Sequence, residues 1–149
     1  MAFSIVFEDE PLCYPYDDPA EPAASGLLTL GATRQGFMAS LYQWSVDDYQ
    51  RQWKQAIIAL LRSGDKAALV TTYGSPEVAT HLEWWPMYLV GQTVYFQDHF
   101  LFYDQLPRSF SMEVAFSFLC ERETVNEEGR QISEWEVPLA EVEAFARTL

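Results

Sequence analysis

The chain has few bases and few cysteines. Only 9 of its 149 residues are lysine or arginine, against 22 aspartates and glutamates, and residues 1–26 contain no base. The net charge of −13 argues against nucleic acid and anionic membrane surfaces as partners, because both repel a negative protein. Cys13 and Cys120 form no spaced pair, so we expect no disulfide framework and assign the chain to the reducing cytoplasm.

Signatures of membrane insertion and of catalysis are also missing. No run approaches the roughly 20 apolar residues of a membrane-spanning helix, and the first residues lack the basic stretch of a signal peptide. There is no P-loop, dinucleotide fingerprint, nucleophile elbow or metalloprotease motif. The histidines, His81 and His99, adjoin neither a nucleophile nor a second metal ligand at a productive spacing. We therefore expect no enzymatic activity, no cofactor and no metal.

Apolar content, in contrast, is ample. The chain is 49% hydrophobic and 15% aromatic, which is enough to bury a core despite the acidity. Its length predicts one domain over residues 1–149. Four of the eight prolines fall between Glu8 and Gly26, so residues 1–26 are predicted to form an acidic, proline-rich arm and residues 27–149 the globular body.

One segment carries a strong helix signal. Ser45 is followed three residues later by Asp48, as in a capping box, and the apolar residues beyond recur on a single helical stripe. Gly64 stands where a helix often ends. We predict a long amphipathic helix over about residues 46–62.

The remaining elements are mostly strands joined by short turns. Pro86 is unusual inside a strand and suggests an edge, a bulge or a local break. The predicted fold class is α+β, with a twisted, mainly antiparallel sheet, a short helical segment within Ser109–Leu119 and a C-terminal helix after Pro138. The predicted strands are Phe3–Phe7, Leu27–Leu30, Phe37–Trp44, Lys66–Tyr73, Val78–Val90, Gln92–Tyr103 and a hairpin of Glu121–Val125 with Arg130–Val137.

Alternation along residues 92–103 predicts a core face and a second, amphipathic face. The even residues Val94, Phe96, Phe100 and Phe102 are apolar and are assigned to the core. The odd residues suit a protein interface, unless a helix simply covers them. The predicted partner-facing residues are Tyr95, Gln97, His99 and Tyr103, with Glu83 and Trp85 from the neighbouring strand and Asp98 and Asp104 as electrostatic contributors at loop ends.

Three patches of sequence, in this order, resemble a known family. They are Trp44-Ser45-Val46-Asp47-Asp48-Tyr49 followed by Trp53, then Val94-Tyr95-Phe96-Gln97, then Ile132-Ser133-Glu134-Trp135 before a short closing helix. Together they resemble bacterial contact-dependent growth-inhibition immunity proteins (CdiI), in the group that neutralises ribosomal-RNA nuclease toxins of the colicin type. The likeness spans roughly residues 40–149; residues 1–26 and Ser109–Glu128 do not match it clearly.

The resemblance implies a Whirly-like fold and a function without chemistry. An immunity protein of this group binds its cognate CdiA toxin domain, expected here at 1:1, and blocks its RNA-binding or active surface. A nuclease must be basic to hold RNA phosphates, so an acidic inhibitor suits it. Two alternatives stay open: an acidic adaptor for another basic protein, and a single-strand nucleic-acid binder, which the charge disfavours.

Overall fold

The fold is α+β, as predicted, and contains two antiparallel sheets. The computed structural model describes residues 2–13 and 22–149. The first sheet has the order β1 (Phe3–Cys13), β2 (Pro22–Leu30) and β3 (Thr33–Ser40). β1 and β2 extend well into the predicted proline-rich arm, so that arm is shorter than expected. The centre of the predicted arm, residues 14–21, lies outside the described residues.

The second sheet is built around one central strand. β5 (His81–Val90) pairs with β4 (Lys66–Thr72) on one side, and with both β6 (Thr93–Phe96) and β7 (His99–Phe102) on the other. β8 (Trp135–Pro138) pairs with β6 and ends the sheet. A two-residue turn at Gly91, whose φ of 62° favours glycine, joins β5 to β6.

The single strand predicted over Gln92–Tyr103 is broken at Gln97 and Asp98. Pro86, opposite the break, explains it. The Gln97 N–H donates to the Pro86 carbonyl, so the side of Pro86 that lacks an N–H faces the break. The strand that contains Pro86 is itself continuous and central, so the effect of this proline, predicted as an edge, a bulge or a local break in its own strand, falls on the partner strand instead.

The long helix α1 spans Val46–Ser63 and confirms the prediction. The Ser45 hydroxyl accepts from the Asp48 N–H, and the Asp48 carboxylate accepts from the Ser45 N–H at 2.9 Å, which completes a capping box. At the other end Gly64 adopts φ 67°, and its N–H donates to the Leu60 carbonyl.

Side chains of α1 close the outer edge of β4. The Gln52 amide donates to the Ala68 carbonyl and accepts from the Val70 N–H, both at 2.9 Å. The Trp53 indole N–H donates to the Val70 carbonyl at 2.7 Å. These bonds replace those that a neighbouring strand would make, so the outward-facing backbone N–H and C=O groups of β4 have hydrogen-bond partners.

The segment after β7 is largely irregular. It contains two 3₁₀ helices, Tyr103–Gln105 and Met112–Phe118, the second of which lies where a short helix was predicted. The predicted hairpin of Glu121–Val125 with Arg130–Val137 is wrong in most of its length. The turn at residues 126–129 closes with one bridge, Val125 to Gln131, but Trp135–Pro138 pairs with β6 instead, where Val137 gains a buried position.

The C-terminal helix α2 (Leu139–Ala146) joins the two sheets in one core. Its Phe145 ring packs at 5.2 Å from Phe3 of β1, and Phe3 stacks at 5.3 Å on Phe96 of β6. The core thus draws on β1, β6 and α2 at once. Among the described residues, no helix is long and apolar enough to span a membrane.

Candidate functional site

The strand register places the predicted site residues on opposite faces of the second sheet. In an antiparallel pair, residues directly opposite share a face. Glu83 lies opposite Phe100, whereas His99 lies opposite Trp84. Glu83 and Trp85 therefore share the even face of β6 and β7, and Tyr95 and His99 occupy the odd face. The expectation that all of them line one surface is wrong, because the odd residues of β5 lie opposite the even residues of β6 and β7, with the same register on both sides of the break.

The odd face is covered by residues 112–134, which we call the covering segment. The Phe116 ring lies 6.4 Å from that of Trp84, and the Tyr88 hydroxyl donates to the Cys120 carbonyl. The Arg122 guanidinium lies 3.9 Å above the ring of Tyr95. The alternative, that this face is simply covered, is thus correct at Trp84, Tyr88 and Tyr95, although an irregular segment covers them in place of a regular helix.

Gln97 is an anchor for the covering segment. Only 1% of it is exposed, so the prediction that it contacts a partner directly is wrong. Its amide N–H donates to the Glu123 carbonyl and to the Glu134 carboxylate, and its carbonyl oxygen lies 2.8 Å from the His99 ring nitrogen. Burial lowers the pKa of His99, which favours the neutral imidazole as the donor to Gln97.

Arg122 completes this network. It binds both oxygens of Glu134, at 2.6 and 2.9 Å, in the two-pronged geometry that makes such pairs strong. The hydrogen bonds from Arg122 lower the pKa of Glu134. Tyr95 beneath Arg122 is half-buried, as is His99, so each offers only part of its surface to a partner.

Three further predicted residues lie apart from this network. Trp85 is 5% exposed and packs at 5.3 Å against Trp135, so it too is a core residue and the prediction of partner contact is wrong. The Tyr103 hydroxyl donates to the Gly74 carbonyl and its ring packs at 4.8 Å on Phe110. Asp104 is exposed on the adjacent 3₁₀ helix.

The even face is open at its β7 end. Val94 and Phe96 are fully buried, as predicted, but Phe100 and Phe102 are 55% and 40% exposed. Their assignment to the core is wrong because the layer that includes Phe3 covers β6 and leaves β7 uncovered. We call the rings of His81, Phe100 and Phe102 the aromatic patch; His81 lies 5.2 and 5.1 Å from the two phenylalanines.

Glu83 and Asp98 lie beside the aromatic patch, close enough to shift each other's pKa; we call them the carboxyl pair. Burial, and then the charge and hydrogen bond of Asp98, raise the pKa of Glu83 to about 7. Burial also raises the pKa of Asp98. No lysine or arginine of the described residues forms an ion pair with either. Two close carboxyls without a cation hold a proton more tightly than an isolated carboxyl does.

Internal ion pairs do not cancel the acidity of the molecule. Arg122 pairs with Glu134, and Lys66 pairs with Glu121 at 2.7 Å. Nevertheless, 9 bases can neutralise at most 9 of the 22 carboxylates. The surface is therefore negative overall. Within the described part of the chain, no three potential metal ligands come together.

The aromatic patch was not predicted from the sequence. Phe100, Phe102 and His81 carry the alternation of a core-facing strand, and nothing in that pattern reports how far the covering layer extends. The short stretch Asp98-His99 between two aromatic runs is the only local hint of an opening.

Comparison with known proteins identifies the family. A family model described as the CdiI N-terminal domain matches residues 39–145. The chain belongs to the CdiI immunity proteins. The Immunity protein CdiI of Enterobacter cloacae subsp. cloacae is 28% identical over 109 residues, which is 73% of this chain and 74% of that protein.

A chain of a solved complex shares the fold. A chain of the CdiA-CT/CdiI toxin and immunity complex from Enterobacter cloacae superposes with a TM-score of 0.88, at 24% identity, and the match covers 98% of this chain and 97% of that one. The CdiI family model includes α1, the whole second sheet and most of α2. The resemblance read from the sequence is thus confirmed for the family; the Whirly-like fold stays a prediction.

Proposed function

We propose that this chain binds the toxin domain of a cognate CdiA protein and neutralises it. The observation that carries the proposal is the match to CdiI over residues 39–145, supported by a fold shared with a chain of a toxin and immunity complex. The action is stoichiometric binding, at 1:1, and involves no catalysis. The encounter takes place in the cytoplasm, where an incoming toxin would act.

We further propose that the toxin is a basic nuclease whose RNA-binding or active surface the chain blocks. The net charge of −13 supports this, since a protein that holds RNA phosphates must present bases. Opposite potentials accelerate the encounter and select the correct partner. The glutamates at 121–136 add to this field, with six acids against two arginines.

Co-expression with the toxin domain encoded beside it tests the proposal. The purified pair is expected to elute as a 1:1 complex, and one equivalent of the chain is expected to stop RNA cleavage by the isolated toxin. A toxin that binds but cleaves no RNA would leave immunity standing and remove the nuclease assignment. A chain that shifts single-stranded oligonucleotides in a gel at low salt, and ignores the toxin, would favour the nucleic-acid alternative.

A further inference from the structure

The aromatic patch is unusual for a protein surface. Phe100 and Phe102 are adjacent on one face of a four-residue strand, with ring centroids 6.2 Å apart, and His81 completes the cluster. Isolated exposed apolar residues need no explanation, whereas a contiguous aromatic group beside polar residues is typical of an interaction site. The register explains the grouping, because His81 lies directly opposite Phe102.

The carboxyl pair supplies a charge next to these rings. Glu83 lies directly opposite Phe100 in the strand register, so its carboxyl leaves the sheet beside that ring. Asp98 approaches it from the break between β6 and β7. A surface that offers aromatic rings and adjoining carboxyls together favours a cation with an aliphatic stem, since the stem packs on the rings and the charge reaches the oxygens.

The molecule contains a filled site of this kind. On the opposite face of the same sheet, the Arg122 guanidinium stacks on Tyr95 and binds the Glu134 carboxylate. There the cation comes from the chain itself, so the ring and the carboxylate are already occupied. At the carboxyl pair the ring and the carboxyls are present, and within the described residues no ion pair supplies the cation.

We propose that the aromatic patch and the carboxyl pair form one docking surface, which receives a basic side chain of the toxin. The aliphatic stem of that side chain lies on Phe100 and Phe102, and its charged end binds Glu83 and Asp98. This inference rests on the proposed function and names the contact surface for it. Charge complementarity selects the occupant: a basic partner fits a negative pair that lacks an internal cation.

Binding at this surface has a thermodynamic signature. A bound cation favours the ionised form of both carboxyls, so the fraction of a proton that Glu83 holds near pH 7 is released. Glu83 titrates near pH 7 in the free chain, and the groups around it are Asp98, His81 and His99, with Glu123 of the covering segment acting on His99. β4 contributes only an uncharged contact, from Thr71 to the Glu83 carbonyl.

Calorimetry of the chain with its toxin at pH 7, in two buffers of different ionisation enthalpy, measures this release. We expect about half a proton released per complex and roughly tenfold tighter binding at pH 8 than at pH 6, as for one group that titrates at pH 7. Glu83→Gln is expected to abolish the release. Glu127→Gln, which removes an exposed charge on the acidic turn, should leave it intact.

Truncation of the patch supplies an independent measurement. Phe102→Ala and Phe100→Ala are each expected to weaken toxin binding at least tenfold. Tyr42→Ala is the matched control, because Tyr42 is an aromatic residue that is 63% exposed and lies beyond the end of β3. Thermal unfolding of each variant establishes that it is folded.

The outcomes distinguish a failure of the proposed function from a failure of the docking surface. If the wild-type chain does not bind the toxin, the proposed function falls and the docking surface falls with it. If the wild-type chain binds without proton release, and the patch variants bind as tightly as Tyr42→Ala, the docking surface alone is overturned and immunity stands.

Discussion

Arg122 lies over the ring of Tyr95, at 3.9 Å from its centroid, and thereby fixes the covering segment to β6. The same guanidinium binds Glu134 through two hydrogen bonds. One side chain of the covering segment therefore contacts both β6 and the far end of that segment.

Replacing Arg122 by alanine is expected to destabilise the protein by about 2 kcal/mol, since a charged hydrogen-bonded pair and a stacking contact are lost together. Denaturant unfolding measures this change. Arg130→Ala is the control, because its 3.9 Å contact with Glu128 is largely exposed and such pairs contribute little. Equal losses for the two variants would show that the Arg122 network does not hold the segment.

Gln52 replaces a strand at the edge of β4. Gln52→Ala leaves the Ala68 carbonyl and the Val70 N–H buried without partners, so we expect a loss of about 2–3 kcal/mol in the free energy of unfolding. Gln55→Ala, on the exposed side of α1, serves as the control and is expected to change stability by less than about 0.5 kcal/mol. Hydrogen exchange should quicken at Val70 in the first variant alone.

Helix α1 was predictable because its signals are local. The apolar stripe, the Ser45 capping box and the glycine at 64 all lie within twenty residues and agree with one another. The turn at Gly91, between the predicted strands Val78–Val90 and Gln92–Tyr103, was equally predictable. Such features depend on neighbours in sequence, and the structure follows them closely.

The candidate site was only partly predictable because it depends on contacts between distant segments. Alternation places Phe100 and Phe96 on one face, but the exposure of Phe100 depends on where the layer containing Phe3 ends. Similarly, the burial of Gln97 follows from the covering segment, whose path carries no periodic signal. Glu83 and Asp98 were predicted as partner-facing on separate grounds, and their proximity follows from a register that the sequence does not specify.

A glycine in β2 makes room for an aromatic ring. Phe37 of β3 lies directly opposite Gly26, and its ring covers the position that a Cβ of Gly26 would occupy. Gly26→Ala must displace this ring from its contacts with Trp53 and Phe7, at an expected cost of about 2 kcal/mol.

Gly36→Ala is the matched control for Gly26→Ala. It lies on the facing strand, and a Cβ there would meet nothing closer than 3.9 Å. Its unfolding midpoint in denaturant is expected to stay near that of the wild type. A Gly26→Ala protein as stable as Gly36→Ala would mean that the ring is free to move.

The carboxyl pair makes stability depend on pH in a defined direction. The pKa of Glu83 is raised from 4.5 to about 7 by folding, so its contribution is fully present below about pH 4.5 and is lost as pH rises through 7. Between pH 5 and pH 8 we expect the wild type to lose about 1 kcal/mol from this group, a value reduced for solvent screening at a half-buried site. Glu83→Gln keeps a hydrogen-bond donor toward Asp98 without the charge, so its stability should lack this decline. Denaturant unfolding at pH 5 and pH 8 measures the difference. Glu127→Gln is the control and should show the same decline as the wild type. A decline of equal size in Glu83→Gln would mean that other groups cause it.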